Sequence, residues 1–299
     1  MKLKQLLTKA SNKENFIRLS DYLDFCNQFL EFKEDGLQAV IVSQNERQYC
    51  FYQFKKDGSF NITRPINSRL MYDSGDDSLL KSLFPKTLKN AQDLEIQDEE
   101  NRRIIRNSIY TIQQSIGAVL DALPAGKSNV ARKINGDLFE RLIRLLISEL
   151  GIDCKSGVIQ VPVVVDGAEE FSMSYQHDLI IRLKEDIKVI GSVKTSSKDR
   201  IDKIFIDKFL YNKLAEKTTP HIAIFLNDVQ RKKTKRENQY GVNATFLPGH
   251  FKGYTIKLNP LDGVYYCDIR PNMETDPLLR KHIQTIDHLF CTDIWRLLH

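Results

Sequence analysis

The first thirty-five residues carry apolar side chains at helical spacing. Leu3, Leu6 and Leu7 share one face; Phe16, Leu19, Leu23, Phe25, Cys26, Phe29 and Leu30 make another. From residue 37 the pattern changes. LQAVIVS and RQYCFYQF read as strands, Lys56-Asp57-Gly58 as a turn, and Phe60–Thr63 as a third short strand. Residues 65–95, with Pro65, Gly75 and Pro85 among polar neighbours, read as a long connection. Helical periodicity returns over 98–123, through Ile104, Ile105, Ile109, Ile112, Ile116, Val119 and Leu120, and stops at Pro124-Ala125-Gly126. A basic connector (Lys127, Arg132, Lys133) leads to a helix over 135–150, ended by Gly151. VIQVPVVV at 158–165 reads as a strand, with Pro162 marking an edge or a bulge, and Asp166–Glu170 as a polar turn.

Two β-branched runs follow, Asp178–Leu183 and Ile187–Lys194, separated by the polar turn Lys184–Asp186. The spacing then predicts a helix over 201–215 and an apolar strand at 222–226, lying parallel to the hairpin strands through a helical crossover. A β region is expected over 241–270 and a closing amphipathic helix over 276–299. A boundary near residue 95 would separate a small N-terminal α/β region, 1–95, from a domain at 96–299.

Composition narrows the class. The chain has 299 residues, 41% hydrophobic and 28% charged, with a formal net charge of +5. This is enough for a substantial core, and the mild basic excess is compatible with nucleic acid. Cys26, Cys50, Cys154, Cys267 and Cys291 are odd in number and lack CxxC spacing, which argues against a disulfide framework or a zinc site and for a reducing, cytoplasmic compartment. No apolar run approaches a membrane span, and the N-terminal one is too short for a signal peptide. Asp73, Asp76 and Asp77 do not match a calcium-loop spacing and read as a solvated loop.

The chemistry concentrates in the hairpin. Asp178 opens one strand and Lys194 closes the next, so a carboxylate and an ammonium meet at one end of a sheet. A Mg²⁺-dependent nuclease needs this geometry: the carboxylate holds the metal, while the lysine positions or deprotonates water and neutralises phosphate charge. An Asp, a hairpin and a strand-end Lys resemble the PD-(D/E)XK nuclease core. Two residues before the Lys, where that core has an acid, stands Ser192. One group of type II restriction enzymes, that of EcoRII, SsoII and NgoMIV, has a small residue there and draws its carboxylate from the following helix. Asp207, thirteen residues after Lys194, matches that offset. The group also carries a basic-acidic-basic triplet that reads G·C pairs, and Lys198-Asp199-Arg200 is similar to it. Lys and Arg can donate to guanine O6 and N7, and Asp can accept from cytosine N4. The resemblance covers residues 136–210. It departs from the group in having His177, not Pro, before Asp178, and Asp, not Glu, on the helix.

The resemblance implies an α/β restriction-endonuclease-like core: a mixed central sheet flanked by helices, with the small N-terminal region added. It implies Mg²⁺-dependent, site-specific hydrolysis of double-stranded DNA at a palindrome containing CC/GG, leaving 5′-phosphates. Asp178, Asp207 and Glu140 would be the metal ligands, with Glu149 in reserve, and Lys194 the catalytic lysine. For Glu140 a surface pair with Arg144 is the competing structural role. The base-reading set would be Lys198, Asp199 and Arg200. Apart from the resemblance, the basic run Arg231, Lys232, Lys233, Lys235 and Arg236 follows a central strand and would contact phosphates, a solvated face being the competing role. Residues 1–95 would be scaffold or an accessory DNA-contacting region, and in the second case Lys55, Arg64 and Arg69 are further candidates. A palindrome implies a homodimer, or a tetramer, and a bacterial or archaeal cytoplasm with a cognate DNA methyltransferase as companion. Two other readings stand beside it: a nuclease of the same core in repair or recombination, and a non-catalytic DNA-binding protein on this fold.

Overall fold

The structure is a computed structural model. It describes residues 2–299 apart from 57, 58, 125, 199, 235, 237 and 238, and the side chains of 56, 59, 60 and 233 are also left aside. The expected turn at Asp57-Gly58 and residue Ala125 of the helix stop therefore lie outside the described residues.

The chain begins with helices α1 (Leu3–Ser11) and α2 (Leu19–Gly36), then a small antiparallel sheet of β1 (Ala39–Val42), β2 (Tyr49–Lys56), β3 (Ser59–Ile62) and β4 (Ile66–Asn67). Helix α3 (Phe84–Lys89) precedes two long helices, α4 (Glu99–Leu120) and α5 (Ser128–Glu149). The last begins seven residues earlier than its apolar face predicts, because Gly136 is tolerated inside it. Strands β5 (Asp153–Val165), β6 (Ala168–Leu183) and β7 (Asp186–Lys194) run antiparallel. Asp166 and Gly167, with φ of 50° and 82°, make the two-residue turn between β5 and β6, so the strand resumes at Ala168 and the polar turn is shorter than expected.

Helix α6 (Ile201–Leu214) crosses to β8 (His221–Phe225), which pairs parallel to β7 as the apolar pattern implies. Arg231, Lys232 and Lys233 of the basic run lie on β9 (Val229–Lys233), which pairs antiparallel with β10 (Tyr240–Ala244). Residues 241–270 are only partly β. Pro248 starts α7 (Pro248–Lys257), whose Phe251 packs edge-on against Phe205 of α6, and a strand returns only at β11 (Gly263–Tyr266). The closing helix is also broken. After α8 (Pro271–Thr275) and α9 (Pro277–His282), Ile283–Thr285 forms β12, paired parallel to β11. Then come α10 (Ile286–His288), a π turn at Leu289–Asp293 and α11 (Ile294–Leu298). Backbone pairing at a free sheet edge outweighs helical continuity there.

The central sheet runs β12-β11-β8-β7-β6-β5 and is mixed, with helices on both faces. On one face Leu138, Leu142 and Leu146 of α5 share a core with Leu179, Val189, Val193 and Ile222. On the other, Ile204 and Phe205 of α6 pack with Ala223 and Phe225, and Tyr211 with Ile180 and Ile190. The first core is continuous from Leu6 to Leu298, so it crosses the boundary expected at residue 95. No described helix is long and apolar enough to cross a membrane.

Candidate active site and basic cleft

The hairpin brings Asp178 and Lys194 together. Lys194 Nζ donates to Asp178 Oδ2 at 2.5 Å and to Glu140 Oε1 at 3.1 Å. The same Asp178 oxygen accepts the Val193 backbone N–H at 2.8 Å, fixing the carboxylate to the end of β7. A β-bulge aims Asp178. Between the pairs Lys155–Ile180 and Gly157–His177, one residue of β5 faces two of β6, Asp178 and Leu179. Such a bulge breaks the alternation of the strand and redirects a side chain. Glu140 arrives from α5. It is not paired with Arg144, whose guanidinium donates instead to the Asp178 carbonyl at 3.2 Å.

The electrostatics follow from this crowding. Burial, and then the neighbouring Asp178 carboxylate, push the Glu140 pKa up even though Lys194 pulls the other way. Burial works against the Lys194 ammonium, but Asp178 and Glu140 outweigh it, and its pKa ends above the ordinary lysine value. Two carboxylates converging on one cation form a hard-oxygen set of the kind that holds Mg²⁺.

Asp207 is placed differently. It lies on α6, against the sheet face opposite α5, and its carboxylate pairs with Lys203 at 2.5 Å. Its charge is felt by His177 and Tyr175, and no hydrogen bond or ion pair joins it to Lys194, Asp178 or Glu140 among the described residues. His177 is itself buried, stacked with Tyr175 and edge-on to Tyr211 and His221, and burial depresses its pKa. Glu149 is exposed near the C-terminus of α5. Among the described residues no group of three or more His, Cys, Asp or Glu is arranged to hold a metal. In the acidic loop Asp73 pairs with Lys33, and Asp77 with Lys81 at 2.8 Å.

Beyond Thr195 a cleft of about 930 Å³ opens. Four separate segments line it: Ile62–Pro65, the α4–α5 region with Arg132 and Asn135, the loop carrying Lys198 and Arg200, and Asn227 to Arg231. Lys198 and Arg200 are exposed, and Lys198 Nζ reaches Gln230 Oε1 at 3.2 Å. Arg64 lines the cleft but is held by Asp121 in a forked pair at 2.9 and 2.8 Å. Arg231 is tied down by the Ile62 carbonyl at 2.6 Å and lies over the Tyr240 ring. Lys232 and Arg236 are exposed on the hairpin; Asp199 and Lys235 lie outside the described residues, as does the side chain of Lys233. Lys55 and Arg69 are exposed and do not line the cleft. Asn135, Asn227 and Gln230 reach the cleft without any local pattern marking them, since the four segments meet only in the fold.

Neither a protein-family model nor a curated protein sequence matches the chain. Among solved structures, the chain is similar to the type IIP restriction endonuclease Kpn2I, with a TM-score of 0.68 at 16% identity, over 99% of this chain and 97% of that one. A weaker likeness, with a TM-score of 0.44 at 12% identity, is to restriction endonuclease PspGI in a substrate DNA complex, over 78% of this chain and 93% of that one. The fold is thus restriction-endonuclease-like, as the mixed sheet and its flanking helices indicate.

Proposed function

We propose that the protein is a type II restriction endonuclease, a Mg²⁺-dependent, site-specific deoxyribonuclease. The observation that carries this reading is the convergence of Asp178 and Glu140 on Lys194 beside a cleft bearing cations, in a restriction-endonuclease-like fold. Asp178 and Glu140 would hold the metal, which when bound supplies Lewis-acid polarisation of the scissile phosphate. Val193 N–H keeps Asp178 in place while it does so. Lys194, held cationic by its two neighbours, orients the attacking water and offsets phosphate charge as the 3′-oxygen leaves. Lys198 and Arg200 face the bases, and Arg132, Lys232 and Arg236 the phosphates.

The finer proposals rest on the resemblance: a palindrome containing CC/GG, products ending in 5′-phosphate, a homodimer and a companion methyltransferase. Asp207 enters the centre only if its pair with Lys203 opens. Incubation of purified protein with phage DNA and Mg²⁺ tests the reading. Discrete fragments are expected, with Lys194→Ala and Asp178→Asn slower by about 100-fold or more, the scale of losing one transition-state contact. A smear would overturn the site-specific part, and DNA retarded on a gel without cleavage would leave the binding-protein reading. Asp207→Asn in the same assay separates two arrangements. A loss equal to that of Asp178→Asn means the helix carboxylate joins the centre; retained cleavage means Glu140 serves instead.

A further inference from the structure

Lys198 and Gln230 come from different elements, a loop after β7 and strand β9, yet their polar heads meet at 3.2 Å inside the cleft. Gln230 stands on a paired strand, its backbone opposite Asn243, so its position is fixed by the hairpin. Its carboxamide makes no other hydrogen bond among the described residues, which leaves the Nε2 donor available. The next residue, Arg231, has no such freedom, because its guanidinium is bound to the Ile62 carbonyl.

Successive base pairs of B-DNA are separated by about 3.4 Å along the helix. Two side-chain heads 3.2 Å apart have the spacing of neighbouring steps of one duplex. A lysine complements guanine O6 and N7. A carboxamide complements adenine, donating to N7 and accepting from N6. We infer that Gln230 is a specificity-determining residue that reads an A·T pair directly beside the guanine read by Lys198. This rests on the proposed site-specific nuclease activity. It adds a base pair to the recognition site from an element outside the triplet.

The test uses the full chain and a library of duplexes with randomised sites, cut in Mg²⁺ and sequenced at the ends. The same library is also selected for binding with Ca²⁺ in place of Mg²⁺, so that a slow variant still yields a consensus. Lys198→Ala marks the guanine position by relaxing it. Gln230→Ala is expected to relax one adjacent A·T position by about 10-fold or more, the scale of a lost bidentate pair. Gln230→Glu has nearly the same shape but cannot donate to N7. It is expected to move that position from adenine toward cytosine, whose N4 donates to a carboxylate. A merely structural role would not produce that exchange. A consensus left unchanged by both Gln230 variants overturns this inference alone. A wild type with no consensus by either readout overturns the site-specific reading, and this inference with it.

Discussion

Lys194 shows how neighbours set the state of one side chain. Its ammonium is stabilised by Asp178 and Glu140, while Glu140 still carries a raised pKa from burial and from Asp178. A divalent cation placed among these groups would relieve the carboxylate repulsion that one ammonium only partly offsets. A second buried acid lies two strands from Lys194, with Leu226 bridging their backbones. Asp268 is 1% exposed and accepts the Tyr49 hydroxyl at 2.9 Å and the Asn67 amide at 2.8 Å, joining the N-terminal sheet to the segment after β11. Burial lifts its pKa from 3.8 to about 7. The folded protein then holds a proton that the unfolded chain has released, so this group's stabilisation is full below about pH 4 and is lost as pH rises through about 7. Asp268→Asn removes the titration, and Tyr49 can turn its hydroxyl to accept from the new amide. The melting temperature of the wild type is expected to gain, relative to Asp268→Asn, as the pH is lowered from 8 to 5. Parallel pH dependences in the two proteins would count against the assignment.

At the scale of elements, the site depends on how β7 nests among its neighbours. Gly191 lies between Leu179 on β6 and Ile222 on β8. A Cβ there would meet Ile222 Cγ1 at 2.8 Å, Leu179 Cδ1 at 3.2 Å and the Ile222 carbonyl oxygen at 3.3 Å. The backbone oxygen cannot yield cheaply, and Leu179 belongs to the bulge that aims Asp178. Gly191→Ala is expected to cost about 1–3 kcal/mol in denaturant unfolding, the usual cost of overpacking, and to slow cleavage by displacing Lys194 from Asp178. Unchanged stability together with unchanged cleavage would show that the strands can part without moving the site.

For the whole molecule, the N-terminal region is part of the architecture that builds the cleft. Phe16, Phe25, Phe29 and Leu30 lie in the same core as Ile105, Ile109 and Ile112 of α4, and Tyr49 and Phe51 pack with Val229 and Val242 of the basic hairpin. Arg270 reinforces the seam with Glu46 at 2.7 Å. Residues 96–299 expressed alone would expose both apolar surfaces. They are expected to melt without a cooperative transition and to bind a hydrophobic dye. A sharp two-state melt of that fragment would instead make residue 95 a true domain boundary.

The sequence by itself determined the local parts: the long helices, the hairpin, and the meeting of Asp178 with Lys194. Each depends on short-range periodicity or on two strand ends joined by a tight turn, and such relations are written within a few residues. It also marked β8 as a parallel neighbour, because a buried apolar run after a helix has few other places to go. Only the tertiary structure decided which helix carboxylate approaches Lys194. Glu140 and Asp207 look alike along the chain, but their helices pack on opposite faces of the sheet. It also decided the bulge at Asp178, the helix at Pro248–Lys257, and the strand that interrupts the C-terminal helix. The cleft, with Lys198 against Gln230, belongs to the same class. These features arise from pairing and packing between segments tens of residues apart, where local propensity is overruled by what the neighbouring strand or helix requires.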